Sequence, residues 1–165
     1  MSKKKDDEER VGDGERAAAD AAAGDDAATE PLVARLHVTE AGSGELLLGF
    51  AIVNHGDDEV TLETTTPFLD FELAIESPGG PLEVLRNPRT AEIAREPLTL
   101  HIPPGGGAAL ATPVWLTFDA ARRAAEPPND PSCWVVLAPR QAATIAVSLL
   151  FGARVVGPCV ERYVP

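Results

Sequence analysis

Leu32-Val33-Ala34-Arg35-Leu36-His37-Val38-Thr39-Glu40 decides how this chain is read. Leu32, Ala34, Leu36 and Val38 fall on one side of a two-residue period, with Arg35, His37 and Thr39 on the other. Side chains alternate across a strand, so the pattern predicts a half-buried β-strand rather than a helix, whose apolar positions recur every three to four residues. Ala41-Gly-Ser-Gly44 reads as a turn, because glycine accepts the backbone angles a reversal needs. The following run, Glu45 to Asn54, groups Leu46, Leu48, Phe50 and Ile52, while its other face, Leu47, Gly49, Ala51 and Val53, is also small or apolar. A strand with no polar face is expected in the middle of a sheet.

The same period continues downstream. Val60, Leu62 and Thr64 alternate after an Asn54-to-Asp58 turn, and Leu69, Phe71, Leu73 and Ile75 oppose Asp70, Glu72 and Glu76 until Ser77-Pro-Gly-Gly-Pro81 intervenes. Further runs are Leu98 to Ile102, Leu110 to Phe118, Cys133 to Leu137, Ile145 to Phe151 and Arg154 to Val164. Pro113 has no N–H for a ladder, so the run holding it is expected at an edge or a bulge. One short helix is predicted, with Asp119 as N-cap, continuing to Glu126 and stopped by Pro127-Pro128. Residues 79–97 and 119–132 are left as long loops. Short strands at short intervals predict an all-β chain: one antiparallel β-sandwich of seven to nine strands over residues 31–165.

Upstream of Pro31 the composition is different. Residues 1–30 hold ten acids, five bases and, beyond Met1, one clearly apolar side chain larger than alanine, Val11. Ordering a backbone costs roughly 1–2 kcal/mol per residue, which such a segment cannot offset by burial. It reads as a disordered acidic tail, a tether or solubiliser. The whole chain of 165 residues carries 14 basic and 26 acidic side chains, a net charge of −12, and that charge argues against nucleic acid as partner and against anionic membrane surfaces. Apolar runs fall far short of the roughly 18–20 residues that span a bilayer. No apolar segment follows Lys3-Lys-Lys5, so no secretory signal is read and a cytoplasmic location is expected.

Here the residues resemble something known. Val53-Asn54 followed by His55-Gly-Asp-Asp-Glu59 and Val60-Thr-Leu62 resembles the B-to-C hairpin of many bacterial immunoglobulin-like domains. Phe68 to Ile75 with its Pro-Gly-Gly turn, and Ile102-Pro-Pro-Gly105 before another strand, are similar in order and spacing to the small intracellular proteinase-inhibitor family of immunoglobulin-like fold. The resemblance covers Glu45 to Thr117. It implies an immunoglobulin-like sandwich, with inhibition through an exposed loop as one function. The chain departs from that family after the Pro-Gly-Gly turn, where Leu82-Glu-Val-Leu-Arg86 replaces aromatic residues.

The sequence holds no catalytic constellation. His37, His55 and His101 lie on polar strand faces or in a turn, and none belongs to a nucleophile motif. Cys133 and Cys159 form no Cys-x-x-Cys pair, Asp57-Asp58-Glu59 lacks the alternating ligands of a calcium loop, and the glycine clusters at 79–80 and 105–107 precede no Lys-Ser/Thr. No metal, cofactor or catalytic residue is therefore expected. The two cysteines are either buried thiols, the reading favoured without an export signal, or a disulfide closing a loop of about 26 residues worth roughly 3 kcal/mol. What remains is surface. Trp115 is either an exposed anchor for a protein partner or packs beneath residues 119–132. Arg86, Arg89, Arg122 and Arg123 are local concentrations of positive charge, able to contact a partner or to serve as the specificity side chain of an inhibitor. Non-enzymatic protein–protein contact is the expected function, and proteinase inhibition the alternative.

Overall fold

The computed structural model describes residues 31–42 and 44–165, so the tail read over 1–30 lies outside the described residues. The described chain is all-β. Its strands are β1 (Leu32–Glu40), β2 (Leu46–Asn54), β3 (Val60–Thr66), β4 (Phe71–Ser77), β5 (Gly80–Leu82), β6 (Val84–Leu85), β7 (Glu96–Ile102), β8 (Gly107–Leu110), β9 (Trp115–Phe118), β10 (Cys133–Val136), β11 (Ala143–Phe151) and β12 (Arg154–Tyr163). Sheet A runs β1-β2-β9-β10-β6 with β8 also on β2, sheet B pairs β3 with β7, and sheet C runs β12-β11-β4-β5. Among the described residues no helix is long and apolar enough to cross a membrane.

Alternation sets the layers. Leu32, Ala34 and Leu36 of β1, Leu46 to Ile52 at every second position of β2, and Ile145, Val147, Leu149 and Phe151 of β11 are buried, and all join one hydrophobic core with Leu62, Phe71, Ile75 and Ile102. Aromatic rings knit its centre: Phe50 meets Phe71 edge-on at 4.8 Å, and Phe71 stacks on Trp134 at 5.1 Å. β2 is central as expected, with β1 along one side from Leu32↔Asn54 to Glu40↔Leu46. Where β1 and β12 meet, Arg140 closes the corner: its Nε donates to Tyr163 Oη at 2.6 Å and its Nη2 pairs with Glu40.

Four expectations are corrected. The run Leu110 to Phe118 is two strands, β8 and β9, which take successive stretches of β2 (Phe50 to Val53, then Leu46 and Leu47). Between them the chain leaves the ladder at Pro113, and the Ala111 carbonyl accepts instead from Phe68 N at 2.6 Å. Second, the sheets are not wholly antiparallel and hold more strands than seven to nine. β10 runs parallel to β9, from Cys133↔Trp115 to Val136↔Phe118, because residues 119–132 are long enough to return the chain to the same end.

Third, the predicted helix from Asp119 to Glu126 is a pair of turns. Asp119 Oδ1 does accept from Ala121 N and Arg122 N, as an N-cap would. The segment is too short to hold a helix unaided, and its alanines at 120, 121, 124 and 125 are exposed, so no apolar face docks it. Fourth, residues 79–97 are not a loop throughout. β5 extends sheet C, Glu83 follows, and β6 pairs with β10 in sheet A, after which Pro88–Glu92 forms a 3₁₀ turn.

Buried polar groups tie the layers. Asn54 is fully buried (0% exposed); its Nδ2 donates to Ile102 O at 2.9 Å and Asp58 O at 2.8 Å, and its Oδ1 accepts from Gly56 N at 2.9 Å. Its own N–H and C=O bond Gly106 O and Gly105 N, so one residue joins the end of β2 to the end of β7. Gly157 sits at the bulge where β12 slips against β11, with φ +121°; a Cβ there would lie 2.9 Å from Val147 O, which is why the position is glycine.

Candidate functional site

The outer face of sheet A brings Trp115 into a row. Thr39↔Leu47, Leu47↔Trp115 and Trp115↔Cys133 are direct cross-strand partners, so these side chains lie side by side across β1, β2, β9 and β10. Further along the same face come the rows His37↔Gly49, Arg35↔Ala51↔Ala109 and Val33↔Val53↔Gly107. Leu47 and Val33 are left 45% and 39% exposed, although both are strand residues with apolar neighbours. Over β2 and β8 the face is therefore small, apolar and open, with Arg35 and His37 along the β1 margin.

Trp115 itself is half-buried. It lines a cavity of about 420 Å³ with Glu45, Thr117, Arg122, Pro127, Pro128, Asn129, Asp130 and Cys133. β10 is buried on both faces: Trp134 and Val136 join the core, which turns Cys133 outward to the floor of this cavity. Burial pushes the Cys133 thiol up from 9.0 to about 11, reinforced by the Asp130 and then the Glu45 carboxylate and opposed by Arg122. Cys159 points instead into the core from β12, its Sγ 3.3 Å from Val147 O, and burial raises its pKa too. The two cysteines thus do not face each other across the core, and both are free and buried. Two thiols are expected to react with a disulfide reagent after denaturation and neither in the native protein at about pH 8; a titre of zero in denaturant points to a disulfide instead.

The four arginines are not equivalent. Arg86 lies over the Trp134 ring at 5.1 Å. Arg89 pairs with Glu92 at 3.1 Å and donates from Nη1 to Asn129 O at 2.9 Å. Arg122 pairs with Asp119 at 3.4 Å and donates to Glu126 O at 3.3 Å. Arg123 is exposed, and its guanidinium has no partner among the described residues. Arg95, also in the 79–97 segment, pairs across to Asp70 at 2.9 Å.

Two residues that sequence reasoning passed over organise the site. Asn87, 2% exposed, donates from Nδ2 to Pro128 O and Asp130 O, both at 2.7 Å, while its Oδ1 accepts from Arg89 N at 3.0 Å. Thr90 Oγ1 donates to Pro131 O at 2.7 Å and accepts from Trp134 Nε1 at 3.0 Å. Together they fasten the 3₁₀ turn to residues 128–131, the wall of the Trp115 cavity. Asn87-Pro88 is an N-cap followed by proline at the first helical position, and that local signal was available in the sequence.

The remaining candidates are dispersed. His37 and His55 are exposed on β1 and in the following turn of β2; His101, exposed on β7, lies 3.5 Å from Glu59 and within hydrogen-bond reach of Thr61. Among the described residues no three His, Cys, Asp or Glu side chains are grouped so as to hold a metal ion. No protein-family model, no curated protein and no solved structure matches this chain.

Proposed function

We propose that this chain is a non-enzymatic, cytoplasmic protein-binding module on an immunoglobulin-like sandwich, and that it binds through the outer face of sheet A around Trp115. One observation carries the reading: Leu47 and Val33 stay exposed beside Gly49, Ala51 and Ala109, and the row through Leu47 runs straight into Trp115. Contiguous exposed apolar surface mostly marks an interaction site, and indole is enriched where binding energy concentrates. Two sheets sharing one core, with the long β2 at the centre of sheet A, support the immunoglobulin-like reading. The net charge of −12 favours a basic protein over nucleic acid.

A photo-crosslinking amino acid at position 47, expressed in the native host, is expected to capture one discrete partner, and the same probe at Glu63, exposed beside Thr99 on the β3–β7 sheet, is not. Leu47→Glu in a protein carrying the probe at Val33 should reduce that capture at least about tenfold, the size expected for a charge buried in a contact. Equal capture from both sheets overturns the reading. The second reading, proteinase inhibition, rests on Arg123, whose side chain alone of the four arginines is unengaged among the described residues. Incubation with trypsin-like proteases separates the two, since absence of stoichiometric inhibition removes the second.

A further inference from the structure

We infer that residues 17–30 of this same chain cover the outer face of sheet A in cis, so that a partner docks there by displacing them; the inference rests on the reading of that face as a docking surface. Arg35 and His37 are the only basic side chains at the strand positions of the face, and none of its four cross-strand rows holds a carboxylate. That is unexpected of a surface on residues 31–165, which carry 16 acids against 9 bases. Both side chains are exposed, and neither makes an ion pair among the described residues. Beside them lie Gly49, Ala51 and Ala109, whose small side chains keep the face low and apolar.

Residues 17–30, Ala-Ala-Ala-Asp-Ala-Ala-Ala-Gly-Asp-Asp-Ala-Ala-Thr-Glu, are complementary in both respects. Asp20, Asp25, Asp26 and Glu30 are their only charges, and every base of the first 30 residues precedes position 17. Eight of the fourteen residues are alanine, which allows close approach to a surface of glycine and alanine. The acids are repelled from both ends of the face, by Glu45 ahead of Leu47 and by Asp57 and Asp58 in the turn after β2, which leaves them the middle, at Arg35 and His37. The chain enters at the right place: Pro31, whose carbonyl accepts from His55 N at 2.6 Å, directly precedes β1 at the Val33 end. From there to the level of Thr39 is about 26 Å at roughly 3.3 Å per residue, and fourteen residues reach up to about 50 Å, enough to reverse direction and run the length of the face. Attachment supplies an effective concentration on the order of millimolar, so even a millimolar contact is populated in cis, while a micromolar partner still displaces it. A second copy of the chain is the poorer occupant, because it sets a charge of −12 against −12.

The test uses the purified full-length chain with a photo-crosslinking amino acid at position 47, as an equal mixture of unlabelled and ¹⁵N-labelled molecules, with the crosslinked peptides identified by mass spectrometry. Crosslinks are expected within one molecule and to residues 17–30, several-fold more often than from the same probe at Glu63. Neutralising the segment (Asp20→Asn, Asp25→Asn, Asp26→Asn and Glu30→Gln together) should lower the yield from position 47 about fivefold, as should salt at about 1 M. Arg35→Glu, at an exposed position, should lower it comparably, and adding Asp25→Lys and Asp26→Lys to Arg35→Glu should restore it. A yield indifferent to all of these charge changes shows mere tethering and overturns the inference; crosslinks chiefly between labelled and unlabelled molecules overturn it in favour of a second copy. In the native host the neutralised segment should raise capture of a partner at position 47 a few-fold. If the purified chain crosslinks in cis while position 47 captures no partner, the cover stands and the docking surface falls. If a partner is captured and no charge-dependent cis crosslink forms, the docking surface stands and the cover falls.

Discussion

Asn54→Asp should destabilise the protein by about 3–5 kcal/mol at neutral pH, clearly more than the roughly 2–3 kcal/mol expected of Asn54→Ala. The aspartate keeps the shape of asparagine but exchanges an NH₂ that donates to the Ile102 and Asp58 carbonyls for an oxygen that faces both of them. It also places a charge at a position with no exposure. Alanine only leaves the Ile102 and Asp58 carbonyls and the Gly56 N–H short of partners, and a vacated polar site costs less than a buried unpaired charge. The pH dependence has a definite sign. Burial and the two carbonyls raise the folded-state pKa of the introduced carboxyl above its unfolded value of about 3.9, so the variant is least impaired below that value and loses stability as pH rises through the folded pKa. Urea midpoints at about pH 4 and pH 7.5 for both variants measure this. Equal losses for the two substitutions, or an aspartate penalty that does not grow with pH, would refute the clamp.

The second large effect is expected at the lock between the 3₁₀ turn and the cavity wall. Asn87→Ala removes two donated bonds and one accepted bond at a site 2% exposed, for a loss of about 2–4 kcal/mol. Thr90→Val preserves volume while leaving Trp134 Nε1 and the Pro131 carbonyl without their partner, for about 1–3 kcal/mol. The two differ in reach. Asn87→Ala frees residues 128–131, so amide exchange should quicken at Cys133 N, bonded to Asp130 O, and at Trp115 N, bonded to Ser132 O, well before global unfolding. Thr90→Val should act chiefly on the Trp134 indole, visible as a shifted resonance. Uniform exchange in Asn87→Ala, with no local quickening near residue 130, would show that Asn87 contributes only to global stability.

Much of the strand pattern was legible in advance, and the reason is local. Leu32 to Glu40, Glu45 to Asn54 and Ile145 to Phe151 each place four apolar residues at every second position, and each lies in a strand with those residues buried, Val38 alone only partly. Alternation alone includes Leu69 in the strand of Phe71, yet Leu69 lies before that strand, because the Phe71 N–H closes back on the Leu69 carbonyl at 3.1 Å. The region from Gly107 to Val136 was the least legible. Pro113 announced a defect, yet whether a strand bulges or breaks depends on what takes up the freed Ala111 carbonyl, and that partner, Phe68, is 43 positions away. The Asp119 cap was correctly placed, but a cap cannot hold a helix that has nothing to pack against.

The candidate site was legible only in part. Trp115 and the arginine pairs stood out by residue type, whereas the row Leu47–Trp115–Cys133 depends on register between strands far apart in the chain. Arg86, Arg89 and Arg122 looked alike as exposed cations, and each is distinguished only by what it meets: an indole, a carboxylate with a distant carbonyl, or the cap of its own turn. Cys133 and Cys159 illustrate the same limit, since pairing or separation follows from which side of a sheet each occupies.

By itself the sequence determined that residues 31–165 build strands, which positions of the regular runs are buried, and that the chain is acidic, because alternation and charge are local properties of a polymer in water. Only the tertiary structure decided that β9 and β10 run parallel, that Asn87 and Thr90 hold the distant segment 128–131, and that an open apolar face adjoins the hollow beside Trp115. Those facts arise from hydrogen-bond register and layer packing between residues distant in sequence, where many pairings share the same hydrophobic pattern and are told apart by which buried donors and acceptors they satisfy.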